Sequence, residues 1–284
     1  MIMKFYKAPI KYLIAVTSLF FLVQQKSLAD GFPLRPGRLL LNPSISYFFA
    51  NKGWDSLRAL RAFPANGQFT STTFTLSAEY GISRRWSVVA LMPYASNTYQ
   101  QTGYTSSNRG LTDLETGIRY YLANINYIYY FMLQGTVITP MYVNNPGLGY
   151  GLTGAELKLS FAGSGHLFGA NDYFTIEDGV RQYFGTQGPW QDRYSATFGL
   201  SLDKKFKNQI SVSFGGFYSV SDFKKFNVNP ALDKNFAFNQ VSLSYGHAFS
   251  KEFSVFVSGG TFVNGRNTGD GSSVSLSLIL RPFK

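Results

Sequence analysis

Ser273-Val274-Ser275-Leu276-Ser277-Leu278-Ile279-Leu280 places an aliphatic residue at every even position and a serine at most odd ones. Successive side chains of an extended chain point to opposite faces, so this stretch reads as a strand with one apolar and one small or polar face. The same dyad runs through 70–80, where Thr70, Thr72, Phe74, Leu76, Ala78 and Tyr80 oppose Ser71, Thr73, Thr75, Ser77 and Glu79. It recurs where Tyr194, Ala196, Phe198, Leu200 and Leu202 alternate with Arg193, Ser195, Thr197, Gly199 and Ser201. No segment of useful length carries an apolar stripe at helical spacing.

Working outward from these segments, the period-two pattern predicts twelve strands. They fall near 38–50, 69–82, 86–96, 111–122, 127–140, 152–162, 172–184, 191–202, 209–220, 236–249, 253–263 and 272–283. The connectors alternate in character. Those at 83–85, 123–126, 164–171, 203–208 and 250–252 are mostly short. Those at 51–68, 97–110, 141–151, 185–190, 221–235 and 264–271 are mostly longer and rich in Asn, Gly and Lys. An even strand count with short turns at one end and long loops at the other is the pattern of an outer-membrane barrel. Strands of about ten to thirteen residues are long enough to cross a bilayer at a tilt. The expected fold is therefore all-β, an antiparallel transmembrane β-barrel of about twelve strands over 30–284.

Composition points the same way. Only 14% of the 284 residues are charged while 17% are aromatic, with 27 Phe and 19 Tyr. A soluble sandwich or lipocalin-like barrel would need a charged exterior, and faces of serine and glycine supply too little charge for one. The chain has no cysteine, which removes disulfides, Cys-ligated zinc and thiol nucleophiles. No run of about 18 apolar residues occurs to make a spanning helix.

The first 29 residues read as a secretory signal. Lys4, Lys7 and Lys11 precede an apolar run from Leu13 to Val23, and Ser27-Leu28-Ala29 offers small residues for cleavage. At 11 residues the apolar run is too short to span a bilayer. This segment holds four lysines and no acid, so its removal lowers the net charge from +11 to +7. The expected location is the outer membrane of a Gram-negative bacterium.

Aromatic residues flank two charged tight turns in a repeated pattern, Tyr80 to Val88 and His247 to Val255. This predicts Trp86, Phe249 and Phe253 at the periplasmic headgroup level, as an aromatic girdle.

Gly110-Leu111-Thr112-Asp113-Leu114-Glu115-Thr116-Gly117-Ile118-Arg119-Tyr120-Tyr121-Leu122 resembles a motif of the outer-membrane barrel family named for the meta-pathway of phenol degradation. That family is related to the fatty-acid and aromatic-hydrocarbon transporters of the outer membrane. Leu91-Met92-Pro93-Tyr94 resembles its L-x-P-Y element, and Gly265-Arg266-Asn267-Thr268-Gly269-Asp270-Gly271 resembles its last loop. The resemblance implies a passive channel for small hydrophobic or aromatic compounds, with the barrel-assembly machinery as a partner. The chain departs from the usual aromatic terminus of such barrels by ending Phe283-Lys284.

With the apolar face toward lipid, Glu79, Asp113, Glu115, Arg119, Glu156, Lys158, Glu177, Arg181 and Arg193 fall on the lumen side. Five acids against four bases leave the interior nearly neutral. They can act as cross-lumen ion pairs or as a selectivity constriction. Tyr130 joins them as a candidate lumen-lining residue, as do Phe48, Tyr121, Tyr173, Tyr183, Phe217, Phe238, Phe256 and Phe262. Such rings suit either a packed, closed lumen or a path for apolar ligands. Asp178 breaks the alternation between Ile176 and Val180, so either a bulge turns it inward or the register is displaced by one. Lys52, Arg58, Arg61, Arg109, Lys224, Lys225, Lys234 and Arg266 fall at the long-loop end, where lipopolysaccharide phosphates or plain water would meet them.

No catalytic, metal or cofactor residues are expected. His166 and His247 map to the short-turn end, and neither a G-x-S-x-G elbow nor an H-E-x-x-H pair is present. A non-conducting structural or adhesive barrel is the alternative to a channel, ahead of an outer-membrane lipid hydrolase. The basic residues form no stripe, so nucleic acid is not an expected partner.

Overall fold

The computed structural model describes residues 33–143, 145, 147–167, 169–185, 188–221 and 234–282. The signal segment, Lys224, Lys225, Phe283 and Lys284 lie outside the described residues. The strands are β1 (Leu39–Trp54), β2 (Leu60–Ala62), β3 (Gln68–Gly81), β4 (Trp86–Gln101), β5 (Tyr104–Leu111), β6 (Asp113–Ile125) and β7 (Tyr129–Pro140). They continue with β8 (Gly154–Leu167), β9 (Ala170–Tyr183), β10 (Trp190–Ser201), β11 (Asn208–Val220), β12 (Ala237–Ala248), β13 (Phe253–Arg266) and β14 (Thr268–Leu280).

Consecutive strands pair antiparallel, and β14 returns to β1 in register from Leu41↔Leu280 to Trp54↔Thr268. The wall is therefore closed into a ring, which is what a lipid solvent demands of a β-structure. Twelve strands make the wall. The short β2 hangs on the extracellular end of β1, while β5 and β6 both pair with β4 and share one place in the ring. The predicted number of wall strands thus stands, but several extend further at the long-loop end. The expected loop at 97–110 is mostly a hairpin of β4 and β5, and the one at 264–271 is a tight turn at Asn267, whose φ is 52°.

The join between β5 and β6 has a local cause. Pro93 has no N–H to give β6, and its carbonyl accepts from the Thr112 amide at 3.0 Å. Pairing passes from Leu91↔Glu115 to Tyr94↔Leu111, so three residues of the 112–114 stretch face two on β4. This is a bulge at a proline, and within it Asp113 points into the barrel.

The molecule is inside-out relative to a soluble protein. Phe74, Val88, Ile118, Val137, Leu157 and Val212 are all exposed on the outer wall, a continuous apolar band suited to lipid. Gln134, Thr136, Ser160, Gln191, Ser211 and Ser219 are buried inside. Trp86 and Phe249 are exposed at the short-turn end, and they meet Tyr120 and Phe253 at 4.4 and 5.4 Å between ring centroids. These pairs form the expected girdle.

Asp178 requires a correction. Its strand pairs without interruption on both sides, Leu159↔Asp178 and Tyr194↔Asp178, so there is neither a bulge nor a displaced register. The carboxylate lies exposed on the outer wall. It is one of a group of polar residues there. Asp192 is within its hydrogen-bond reach, the Tyr194 hydroxyl donates to Asn239, and the Asn239 amide donates to Asn264 at 3.0 Å. The alternation rule was right about the face, which Asp178 shares with Tyr194 and Asn239 on neighbouring strands.

Candidate functional site: the barrel lumen

Two walls of different chemistry face each other inside the barrel. On β3 to β10 the inward positions carry the charges, held in two hubs. Glu79 accepts from Arg119 Nη1 at 2.6 Å, Ser87 Oγ at 2.6 Å and Tyr121 Oη at 3.1 Å. Arg119 also donates from Nε and Nη2 to Gln134 Oε1 at 3.0 and 2.9 Å. Arg181 forms the second hub, giving Nη2 to Glu115 at 2.6 Å and Nε to Glu156 at 2.7 Å. Arg193 joins through Nη1, 3.1 Å from Glu156 and 3.7 Å from Glu115. Beside these, Lys158 lies 3.4 Å from Glu177, whose other oxygen accepts from Ser160 at 3.0 Å.

Geometry explains these partnerships. Arg181 is opposite Glu156 in the β8–β9 ladder, and Glu115 reaches them across the lumen. A buried ion pair offsets its desolvation only when its remaining donors and acceptors are met. The described hydrogen bonds meet them for Glu79 and Arg181.

The remaining candidates take other places. Asp113 joins no close ion pair among the described residues; it accepts from Tyr142 Oη at 3.0 Å and Tyr183 Oη at 3.2 Å. Tyr130 is inward but near the periplasmic turn, where its hydroxyl donates to the Tyr127 carbonyl at 2.9 Å. Among the basic loop residues, Arg61 is tied to Asp55 at 2.9 Å and Arg266 lies over the Tyr218 ring. Lys234 is buried, not in open solvent as the loop reading had it, because 234–236 packs down against Ser219, whose hydroxyl donates to the Lys234 carbonyl.

The opposite wall, on β11 to β14 with β1 and the Phe69 end of β3, contributes no charged side chain to the central cavity among the described residues. Its inward positions are serines and an arc of phenylalanines. Phe236 stacks on Phe217 at 5.5 Å, Phe217 on Phe238 at 5.7 Å, and Phe238 on Phe262 at 4.2 Å with 8° between planes. Phe262 then meets Phe48 at 5.4 Å, and Phe48 meets Phe69 at 6.1 Å. Gly271 makes room for this turn of the arc, since a Cβ there would run into the Phe48 ring.

Between the walls lie three cavities in series. The central one, about 500 Å³, touches Glu115, Arg119, Glu177, Arg193, Phe217 and Phe238. It shares Asn42 and Thr175 with a serine-lined periplasmic cavity of about 390 Å³. It shares Arg193 and Phe217 with an extracellular cavity of about 430 Å³.

The 141–151 connector forms part of the extracellular cavity, a feature the period-two pattern could not disclose. Tyr142 accepts from the Gly151 amide at 2.9 Å while donating to Asp113. Asn97 holds the Gly147 carbonyl at 2.8 Å, and Gln191 donates to the Tyr150 hydroxyl at 2.8 Å. Tyr150 packs edge-on against Tyr183 at 4.7 Å. The only advance signal was a loop dense in glycine and tyrosine.

No protein-family model and no curated protein matches the chain by sequence. An outer-membrane channel from Pseudomonas putida F1 is structurally similar, with a TM-score of 0.67 at 12% identity over 90% of this chain and 100% of that one. The NanC porin aligns with a TM-score of 0.51 at 9% identity, over 84% of this chain and 98% of the porin. The β domain of the Bordetella autotransporter BrkA aligns with a TM-score of 0.52 at 13% identity, over 86% and 99%. Likeness at this level is one of fold. The chain is a closed, twelve-stranded antiparallel β-barrel of the outer-membrane kind.

Proposed function

We propose that the barrel is an outer-membrane channel that passes small hydrophobic or aromatic compounds without an energy source. The observation that supports this best is the arc of stacked phenylalanines beside the central cavity. A water-filled porin would line that surface with charge and amide, whereas rings offer an apolar ligand a continuous, sequence-tolerant surface. Most charges on the opposite wall are paired with one another, which leaves the aromatic surface as the main apolar contact for a solute. The resemblance of the 110–122 segment to a motif of the meta-pathway barrel family, a relative of the aromatic-hydrocarbon transporters, supports the same reading.

Uptake of N-phenyl-1-naphthylamine by intact cells tests the proposal. Cells carrying the barrel should take up the dye faster than cells lacking it, and the Phe238→Ala variant should lose most of the gain. Equal uptake with and without the barrel would leave a non-conducting structural barrel. The hydrogen bonds that tie Tyr142, Gly147 and Tyr150 to the inner wall at the extracellular end favour that second reading.

A further inference from the structure

We propose that the lumen selects aromatic carboxylates, with the ring on Phe217 and Phe238 and the carboxylate on Arg193. This rests on the aromatic-channel reading and narrows it to a substrate class.

Arg193 differs from the other lumen arginines. Its side chain is 38% exposed, against 17% for Arg119 and 5% for Arg181. Only Nη1 is engaged, by Glu156 and more distantly by Glu115. Its Nε and Nη2 donate to nothing among the described residues. The guanidinium lies 5.2 Å from the centroid of Phe217, the ring that continues into Phe238. Arg193 also lines both the central and the extracellular cavity, so a solute passing between them meets it.

These positions set the ligand's chemistry. A guanidinium edge with two free donors matches the two oxygens of a carboxylate. Because the cation already sits over Phe217, the ring next to Phe238 in the arc, an aryl group beside Phe238 places an attached carboxylate within its reach. A neutral arene filling the same space would strip water from both donors and give nothing back, which is costly. An aromatic ammonium would need a free acid. However, Glu115 and Glu156 are held by Arg181, Glu79 by Arg119 and Glu177 by Lys158 and Ser160, while each oxygen of Asp113 already accepts from a tyrosine hydroxyl, Tyr142 or Tyr183.

Calorimetric titration of the purified, detergent-solubilised barrel with benzoate, benzyl alcohol and benzylamine at neutral pH tests this. Benzoate should bind at least about tenfold more tightly than either analogue, the preference expected of a charge-assisted contact. Arg193→Gln should cut the ratio of benzoate to benzyl alcohol affinity by about tenfold, with Arg193→Lys in between. The wild-type preference needs no variant to fold. Equal binding of benzoate and benzyl alcohol, or a preference for benzylamine, overturns the carboxylate assignment and leaves the aromatic channel standing. If none of the three binds, both readings fall.

Discussion

Phe238 and Phe262 stack face to face across the β12–β13 pair, with centroids 4.2 Å apart and 8° between the planes. Phe238 also stacks on Phe217, so it joins the two halves of the arc. Stacked pairs contribute about 1 kcal/mol beyond the area they bury. Phe262→Ala should therefore lower barrel stability in urea by about that amount through lost stacking, with a further loss from reduced packing. A variant as stable as the wild type would mean that the rings stand in the cavity without holding one another.

Arg181 is the most buried of the lumen arginines and ties Glu115 on β6 to Glu156 on β8. Arg181→Met leaves Glu115 with only the distant Arg193, 3.7 Å away. Breaking one side of a buried pair typically costs about 3–5 kcal/mol. The variant should unfold at clearly lower urea, and Arg181→Met combined with Glu115→Gln should recover part of the loss. Wild-type stability for the single variant would show that the hub contributes little.

Asp178 carries a carboxylate on the outer wall among Ile176, Val180 and Asp192. Charge on the lipid face costs up to about 2–4 kcal/mol for basic residues and less for acids. Asp178→Leu should thus stabilise the barrel in lipid vesicles by about 1 kcal/mol. Destabilisation instead would mean that the polar group with Asp192, Tyr194 and Asn239 is itself a structural tie.

Asp203 closes the periplasmic turn between β10 and β11. It accepts from the Lys207 amide at 3.0 Å, the Asn208 amide at 2.6 Å, the Asn208 side chain at 2.9 Å and the Lys205 amide at 2.8 Å. These bonds, that from Lys207 foremost, hold its carboxyl below its ordinary value of 3.8. A lowered folded value means that the contribution is complete above the ordinary value and is lost as pH falls through the folded one. Hydrogen-exchange protection at Lys205 and Lys207 should be flat near neutrality and drop only in strong acid. Asp203→Asn should weaken protection at every pH, and unchanged protection would contradict the role.

Much of the fold was legible because lipid imposes a simple rule. Every wall strand alternates, and the ring closes by the pairing of Leu276 with Ile45 on neighbouring outer faces. The inward charges followed from the same parity, but their partners did not. Arg181 meets Glu115 from 66 positions away, and only the closed ring brings β6 and β9 face to face. Phe48, Phe217, Phe238 and Phe262 were visible as inward rings, but Phe69 and Phe236 and the stacking itself were not, since stacking depends on cross-strand register. Strand ends beyond the lipid, such as the β4–β5 hairpin, escaped because alternation carries no meaning where both faces meet water. Tyr142 and Tyr150 act from a loop, where no period announces a fold into the lumen.

The most direct test of an aromatic path through the lumen uses the absence of native cysteine. Gln240→Cys, two positions along β12 from Phe238 and lining the central cavity, introduces a single thiol beside the arc, which a bulky maleimide can modify in intact cells. N-phenyl-1-naphthylamine uptake through the variant should fall to the level of cells lacking the barrel once the thiol is modified, and should be unaffected by the same reagent in the wild type. Uptake that continues unchanged after complete modification would show that aromatic compounds do not pass along this wall.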